Sequence, residues 1–235
     1  MESNKPTIFG CGINRVEALT DGVVAIVMTL MVFNISLPKD RPITNLRLEL
    51  FALWPSFVAY AISFGMAGIY WSANHNMFRF IKRTSHEFIW LTILFLACVS
   101  LLPFSTSLLA RFHDDATALV FYGGNLELIG LSLFWIWCHA TSGRRLTDPH
   151  LPDSMIRFGQ SRILVGIVGY GLATGLAFAS TKWALIVFFL IPLLFVLPPV
   201  QRLWTGKFGL HHVDQRANSF SGGVPSIPGD LGDRK

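Results

Sequence analysis

Ionisable residues are few in this chain, and their positions limit the chemistry it can do. His113-Asp114-Asp115 and Asp148-Pro149-His150 have metal-ligand types, but neither cluster alone supplies convincing ligand spacing for a metal site. Glu127 falls near the middle of an apolar run beside Gly123, Gly124 and Asn125, and an acid at membrane depth is a candidate for binding a proton or an ion. A plainer reading has the Gly-Gly pair break the helix, leaving Glu127 near the outer surface and tied to Asn125 or to another helix. The densest cluster is Arg15, Glu17 and Asp21, three charges within seven positions that lead straight into apolar sequence. Such charges are costly at a membrane helix entrance unless something receives them. Arg15 and Asp21 lie about 240° apart around a helix, so they cannot pair on one face. Trp71, Asn74, His75 and Phe78 share a face by i, i+3, i+4 and i+7 spacing and are the natural receivers. His75 is then either an interfacial histidine or a group whose protonated form a neighbouring carboxylate would favour, which is the chemistry of a pH sensor.

The elements that must position these groups follow from composition. Of 235 residues, 52% are hydrophobic and 14% charged, with a mean hydropathy of +0.50, far too apolar for an ordinary soluble domain. The chain reads as an all-α integral membrane protein. Runs long enough to cross a hydrocarbon core, which takes about 20 helical residues, fall at 20–37, 50–71, 88–109, 117–139, 161–180 and 183–200. Six transmembrane helices are expected, the last two forming a tight hairpin at Thr181-Lys182. Glu17 and Asp21 crowd the entrance of the first run and no small-x-small cleavage site follows closely, so it reads as a retained helix and not as a signal peptide. With the N-terminus inside, fourteen Lys and Arg fall on the cytoplasmic side and five outside, which places both termini in the cytoplasm of a multi-pass cell-membrane protein. Topology accounts for the basic surplus, so no nucleic-acid partner is implied; membrane lipid is.

The domain reading is a cytoplasmic N-terminus at 1–15, a six-helix membrane domain at 16–205 and a turn-rich cytoplasmic tail at 206–235, disordered by composition. Cys11, Cys98 and Cys138 are too widely spaced for a disulfide framework or a Cys metal site, and they read as packing residues.

Val168-Gly169-Tyr170-Gly171 matches most of a potassium filter loop. It sits mid-way along a span-length run with Ile167 where the filter has Thr, so helix is expected there. Gly171 and Gly175 are expected to serve close helix packing. The first span offers a different ion path. Gly22, Ile26, Thr29, Leu30, Phe33 and Leu37 share one helical stripe, opposite Val23, Val24, Val27, Met28 and Met31. A helix apolar all round is either packed in a dry core or, with several copies meeting on the Gly22 to Phe33 stripe, lines a narrow axis with one ring of hydroxyls among branched aliphatics.

Arg15-x-x-x-Leu19-Thr20-Asp21 resembles the Arg-x-x-x-Phe-Ser-Asp signature of the endosomal and lysosomal potassium channel family. The nine residues after it are similar to that family's first helix. The stretch from Trp71 through Asn74, His75 and Phe78 to Arg79 resembles its second-helix exit, and Leu102-Pro103-Phe104-Ser105-Thr106 its third-helix Pro-Phe-x-Thr. These matches cover the first half of the chain, and the six-helix layout extends the likeness to about residue 205. The resemblance implies a six-helix chain without a carbonyl filter loop, assembled as a homotetramer around its first helices. It implies a constriction at Ile26, Thr29, Leu30 and Phe33, and a hydrogen-bonded signature and gating network of Arg15, Leu19, Thr20, Asp21, Trp71, Asn74 and His75. Leu19 replaces the signature Phe and Thr20 its Ser, which bears on packing and gating more than on architecture; an aromatic Phe33 replaces the usual aliphatic.

The leading reading is therefore a potassium-permeable cation channel with a hydrophobic first-helix gate, potassium ions as the permeant species and no cofactor. The competing reading is a proton- or ion-coupled secondary transporter using Glu127 and His75. Against it, no internal repeat is visible and the first helix lacks a central Pro or Gly to unwind it. An enzyme is disfavoured because the two His/Asp clusters fall on opposite membrane sides under this topology.

Overall fold

A computed structural model describes residues 12–37 and 44–196. Cys11, the loop carrying Lys39 and Arg41, and everything from Leu197, including the expected tail and the end of the sixth span, lie outside the described residues.

Helix α1 (Ile13–Leu30) continues as a short 3-10 turn, Met31–Asn34. It starts seven residues before the expected span, so Arg15, Glu17 and Asp21 lie within the helix. α2 (Leu46–Ala52) is capped by the Asn45 side chain, which accepts from the Arg47 and Leu48 N–H groups. Pro55 lies in the first turn of α3 (Trp54–Phe78); lacking an N–H, it cannot continue the α2 ladder, and the two helices meet at 45°. Pro103 acts likewise where α4 (His86–Ser100) gives way to α5 (Leu102–Arg111). α6 (Ala116–Thr141) is capped by Asp115, whose carboxylate accepts from the Thr117 N–H. α7 (Asp153–Leu176) and α8 (Thr181–Val196) form the expected hairpin.

Among the described residues, three helical stretches are long and apolar enough to cross a membrane: Ile13–Asn34, His86–Arg111 and Ala116–Arg144. The bent α2–α3 pair makes a fourth if it is one span. α7 does not qualify by composition, its first half carrying Asp153, Arg157, Gln160 and Arg162, and α8 is a shorter apolar helix.

α6 is the central post. Tyr122, Leu126, Ile129 and Leu133 follow each other at helical spacing and are fully buried, against α4, α5 and α7. In a membrane such packing rests on van der Waals fit and interhelical hydrogen bonds, because lipid tails are as apolar as Leu. A polar belt supplies those bonds: Thr106 Oγ1 donates to Ser63 Oγ at 2.8 Å, Ser63 Oγ and the Tyr122 hydroxyl lie 3.0 Å apart, and Asn125 Nδ2 donates to Ser105 Oγ at 3.0 Å. The belt ties α3, α5 and α6 at mid-height.

Two expectations about glycine fail. α6 runs unbroken through Gly123 and Gly124, because a helix tolerates Gly at a cost of about 1 kcal/mol and α7 lies against Gly123. A Cβ at Gly123 would run into Thr174 and the Phe188 ring. Gly171 and Gly175, by contrast, are exposed on the protomer, and a Cβ at Gly175 would meet nothing within 4 Å. The close α6–α7 approaches are instead at Gly123, at Gly130 against Ile167, and at Gly159 against the Trp137 indole. The smaller residue of each pair decides where helices touch, whatever the motif spacing.

Candidate functional site

α1 packs against α3, α4 and α5 on one side only. Val24, Val27 and Met31 are 2%, 4% and 0% exposed, whereas Leu19, Ile26 and Phe33 are 52%, 59% and 76% exposed. Leu30 and Thr29 are exposed with them, as are Ala18, Gly22 and Ala25. The stripe expected from spacing is thus an apolar face without a partner among the described residues, bordered by small residues. The Thr29 hydroxyl donates to the Ile26 carbonyl at 2.8 Å. Its only proton is engaged, so the oxygen has acceptor capacity left, which suits a passing cation. Leu37, at the far end of the stripe, is half-buried.

The N-terminal half of α1 is tied to α3 by two rungs. Trp71 Nε1 donates to Asp21 Oδ1 at 2.8 Å. One turn away, His75 Nδ1 lies 3.3 Å from Glu17 Oε1, within ion-pair reach when the ring is protonated but without hydrogen-bond geometry. The Trp71 and His75 rings stack, with centroids 5.5 Å apart and planes at 17°. Glu17 and Asp21 are four apart, as are Trp71 and His75, so two antiparallel helices present matched pairs. A hydrogen bond to a charged group contributes about 1.5–3 kcal/mol, and the lower end applies to Trp71–Asp21 because that pair is exposed on the protomer. At its other end α1 is tied to α5: Asn34 Nδ2 donates to the Pro103 carbonyl at 2.9 Å, inside the Leu102 to Thr106 motif.

The remaining expected network residues divide. Thr20 is buried at 1% exposure and donates to the Val16 carbonyl of its own helix at 2.9 Å, so its hydroxyl proton is used within α1. Arg15 and Leu19 lie on the exposed side, one turn apart at the head of the bare stripe. Asn74 is 2% exposed and its Nδ2 has no hydrogen-bond partner among the described residues, an arrangement that costs about 1–3 kcal/mol. Glu17 and Asn34 had not been singled out for these roles. The i, i+4 match of Glu17 to Asp21 is the signal that could have found the first; Asn34 pairs across 69 positions, which spacing cannot reveal.

Glu127 lies half-buried on α6, close to Gly171, where a Cβ would sit 3.7 Å from its Oε1. His113 lies before the start of α6, and His75 lies on α3 facing α1. Tyr170 of the filter-like motif is helical and buried, its hydroxyl 2.6 Å from Met66 Sδ. His113 pairs with Asp114 at 3.4 Å, and no group of three or more metal-ligating side chains occurs among the described residues.

The family profile described as endosomal/lysosomal potassium channel TMEM175 matches residues 15–103, the stretch that holds α1, both of its anchors and the Pro103 break. A potassium channel of Streptomyces collinus is 34% identical over 175 residues, covering 73% of this chain and 85% of the relative. The chain belongs to the TMEM175 family. Family relatives extend beyond that bacterium: a potassium channel of Chamaesiphon minutus is 33% identical over 192 residues, covering 78% of this chain and 93% of its own. The human endosomal/lysosomal proton channel of the family is 33% identical over 180 residues, of which this chain spans 35% of the length. The crystal structure of a lysosomal potassium-selective channel homologue from Chamaesiphon minutus superposes with a TM-score of 0.70 at 29% identity, covering 78% of this chain and 95% of that one. A helical membrane-channel fold is common to both.

Proposed function

We propose that this chain is the subunit of a potassium-permeable cation channel whose ion path is bounded by the α1 stripes of four identical copies. One observation carries the reading: Ile26, Leu30 and Phe33 are bare on a helix whose opposite face is buried and whose two ends are anchored. Ala18, Gly22 and Ala25 beside the stripe let backbones approach closely, and Thr29 adds one oxygen per copy. Relatives named as potassium channels support the same reading.

An Ile or Leu ring offers no oxygen to replace a hydration shell. When narrow it is a dewetted barrier, and when wide it passes ions that keep most of their water. Dehydration cost then favours potassium over the more strongly hydrated sodium, with Thr29 as a polar foothold. Ile26 forms the tightest ring, and Phe33 narrows the opposite mouth. Arg15, Leu19, Thr20, Asp21, Trp71, Asn74 and His75 set the α1 position from the cytoplasmic end, with Glu17 as a further member. The membrane domain, 16–205, crosses six times, α7 and α8 supplying the fifth and sixth spans, and both termini are cytoplasmic. No cofactor enters this mechanism, and the chain catalyses no reaction.

Reversal potential tests the reading. Purified protein in a planar bilayer between asymmetric potassium and sodium is expected to pass current that reverses toward the potassium equilibrium potential without any second gradient. Flux that saturates and requires a proton or sodium gradient would replace the channel by the coupled transporter.

A further inference from the structure

Two basic loops at one end of the helix array are stapled together. Ile81, after α3, and Thr147, after α6, form an antiparallel bridge. The Lys82 and Arg83 N–H groups donate to the Leu146 carbonyl at 2.7 and 3.2 Å, and the Asp148 N–H donates to the Phe80 carbonyl at 3.2 Å. This pairing sets Lys82 and Arg83 beside Arg145, with Arg79 just before them. All four side chains are exposed, and among the described residues none has a carboxylate within ion-pair distance. Arg144 is different: it pairs with Asp153 and donates to the Pro149 carbonyl at 3.0 Å. Those ties hold it at φ 53° after Gly143 at φ 59°, a left-handed turn that a side chain disfavours. The four remaining cations therefore share these loops with like-charge repulsion that no described carboxylate offsets at ion-pair distance.

Beside them is a cavity of 280 Å³ lined by Ser85, His139, Ser142, Arg145 and Glu87 among others. Ser85 Oγ lies 3.2 Å from His139 Nε2. Hydroxyl, imidazole and guanidinium groups converge there, with Glu87 the opposing charge on the wall. The apolar stretch His86–Arg111 begins at this level and Ala116–Arg144 ends at it. Trp90 and Trp135, 58% and 56% exposed, lie within two turns of those ends of α4 and α6, the depth at which Trp meets headgroups.

We propose that the stapled loops bind the phosphate of an anionic phospholipid, seated in the cavity against Arg145 and covered by Lys82 and Arg83. Each basic group near an anionic surface strengthens attachment severalfold, and the cavity adds directed donors. The His75 rung lies on α3, one turn before Arg79, so an occupied site steadies the helix on which α1 is anchored.

Native mass spectrometry of the full chain in detergent, with dioleoyl phosphatidylglycerol, dioleoyl phosphatidylcholine or inorganic phosphate added, tests this. Wild type is expected to retain phosphatidylglycerol at least about tenfold better than phosphatidylcholine, and the Lys82→Gln/Arg83→Gln/Arg145→Gln variant to lose that preference. Arg83→Lys/Arg145→Lys, which keeps the charges, should keep most of it, and Arg111→Gln, at the opposite end of the His86–Arg111 stretch, should leave it intact. Equal retention of both lipids by wild type, or an undiminished preference in the triple Gln variant that still melts cooperatively, would overturn the proposal. So would displacement of phosphatidylglycerol by millimolar inorganic phosphate, which would assign the site to a soluble anion.

Discussion

Asp21 and Trp71 form the contact that most directly joins the family signature to the second long helix. Trp71→Phe keeps the ring that stacks on His75 but removes the Nε1 donor, and Asp21→Asn weakens the acceptor. Each variant alone is expected to lower stability by about 1–2 kcal/mol, and the double variant by clearly less than their sum, because both remove one bond. Thermal melts of the four proteins in detergent measure the coupling; strictly additive losses would mean that the bond is not made in solution. At this scale much was legible in the sequence. The shared face of Trp71, Asn74 and His75 follows from spacing, and Arg15 could be excluded as a same-face partner of Asp21. The pairing of His75 with Glu17 was not legible, since spacing names a face and leaves open which of two carboxylates, 3.3 Å or one turn away, meets the ring.

Helices are the scale at which expectation and structure differ most. Periodicity found the α1 stripe, and the short gap between two apolar runs at Thr181-Lys182 found the α7–α8 hairpin. It did not find the 45° break before α3, where a Pro that is harmless within a first turn ends the preceding helix. It also placed the small-residue contact wrongly, because Gly-x-x-x-Gly says that a surface is flat without saying which surface is opposed. Gly123→Ala is therefore expected to cost about 1–3 kcal/mol, as overpacking against Thr174 and Phe188 requires, whereas Gly175→Ala should leave protomer stability unchanged or raise it by up to about 1 kcal/mol. Detergent-resistant melting of both variants checks the contrast. The reverse order would contradict the α6–α7 packing described above. Asp115 gives a pH-dependent counterpart. The Thr117 N–H holds its carboxyl below the usual carboxylate range, so its capping of α6 is complete above the ordinary carboxylate pKa of about 4 and is lost as pH falls through the depressed folded value.

At the scale of the whole molecule, the described residues leave the most conspicuous apolar helix face uncovered, although its opposite face is packed and both ends are tied down. Four copies sharing that face would close it around an axis, and native mass spectrometry is expected to give a complex of four times the 26.2 kDa chain mass; a stable monomer or dimer would contradict the assembly. Stoichiometry could not be read from spacing, since any number of stripes encloses some axis. The central claim is that this face bounds the ion path, and it is tested most directly by bilayer recordings of wild type and Ile26→Asn under asymmetric potassium and sodium. An Asn side chain at the ring supplies the hydrogen-bonding groups that a dewetted barrier lacks. The variant is predicted to conduct more, with a reversal potential moved away from potassium toward sodium. Unchanged conductance and an unchanged reversal potential in a correctly assembled Ile26→Asn channel would remove α1 from the pore.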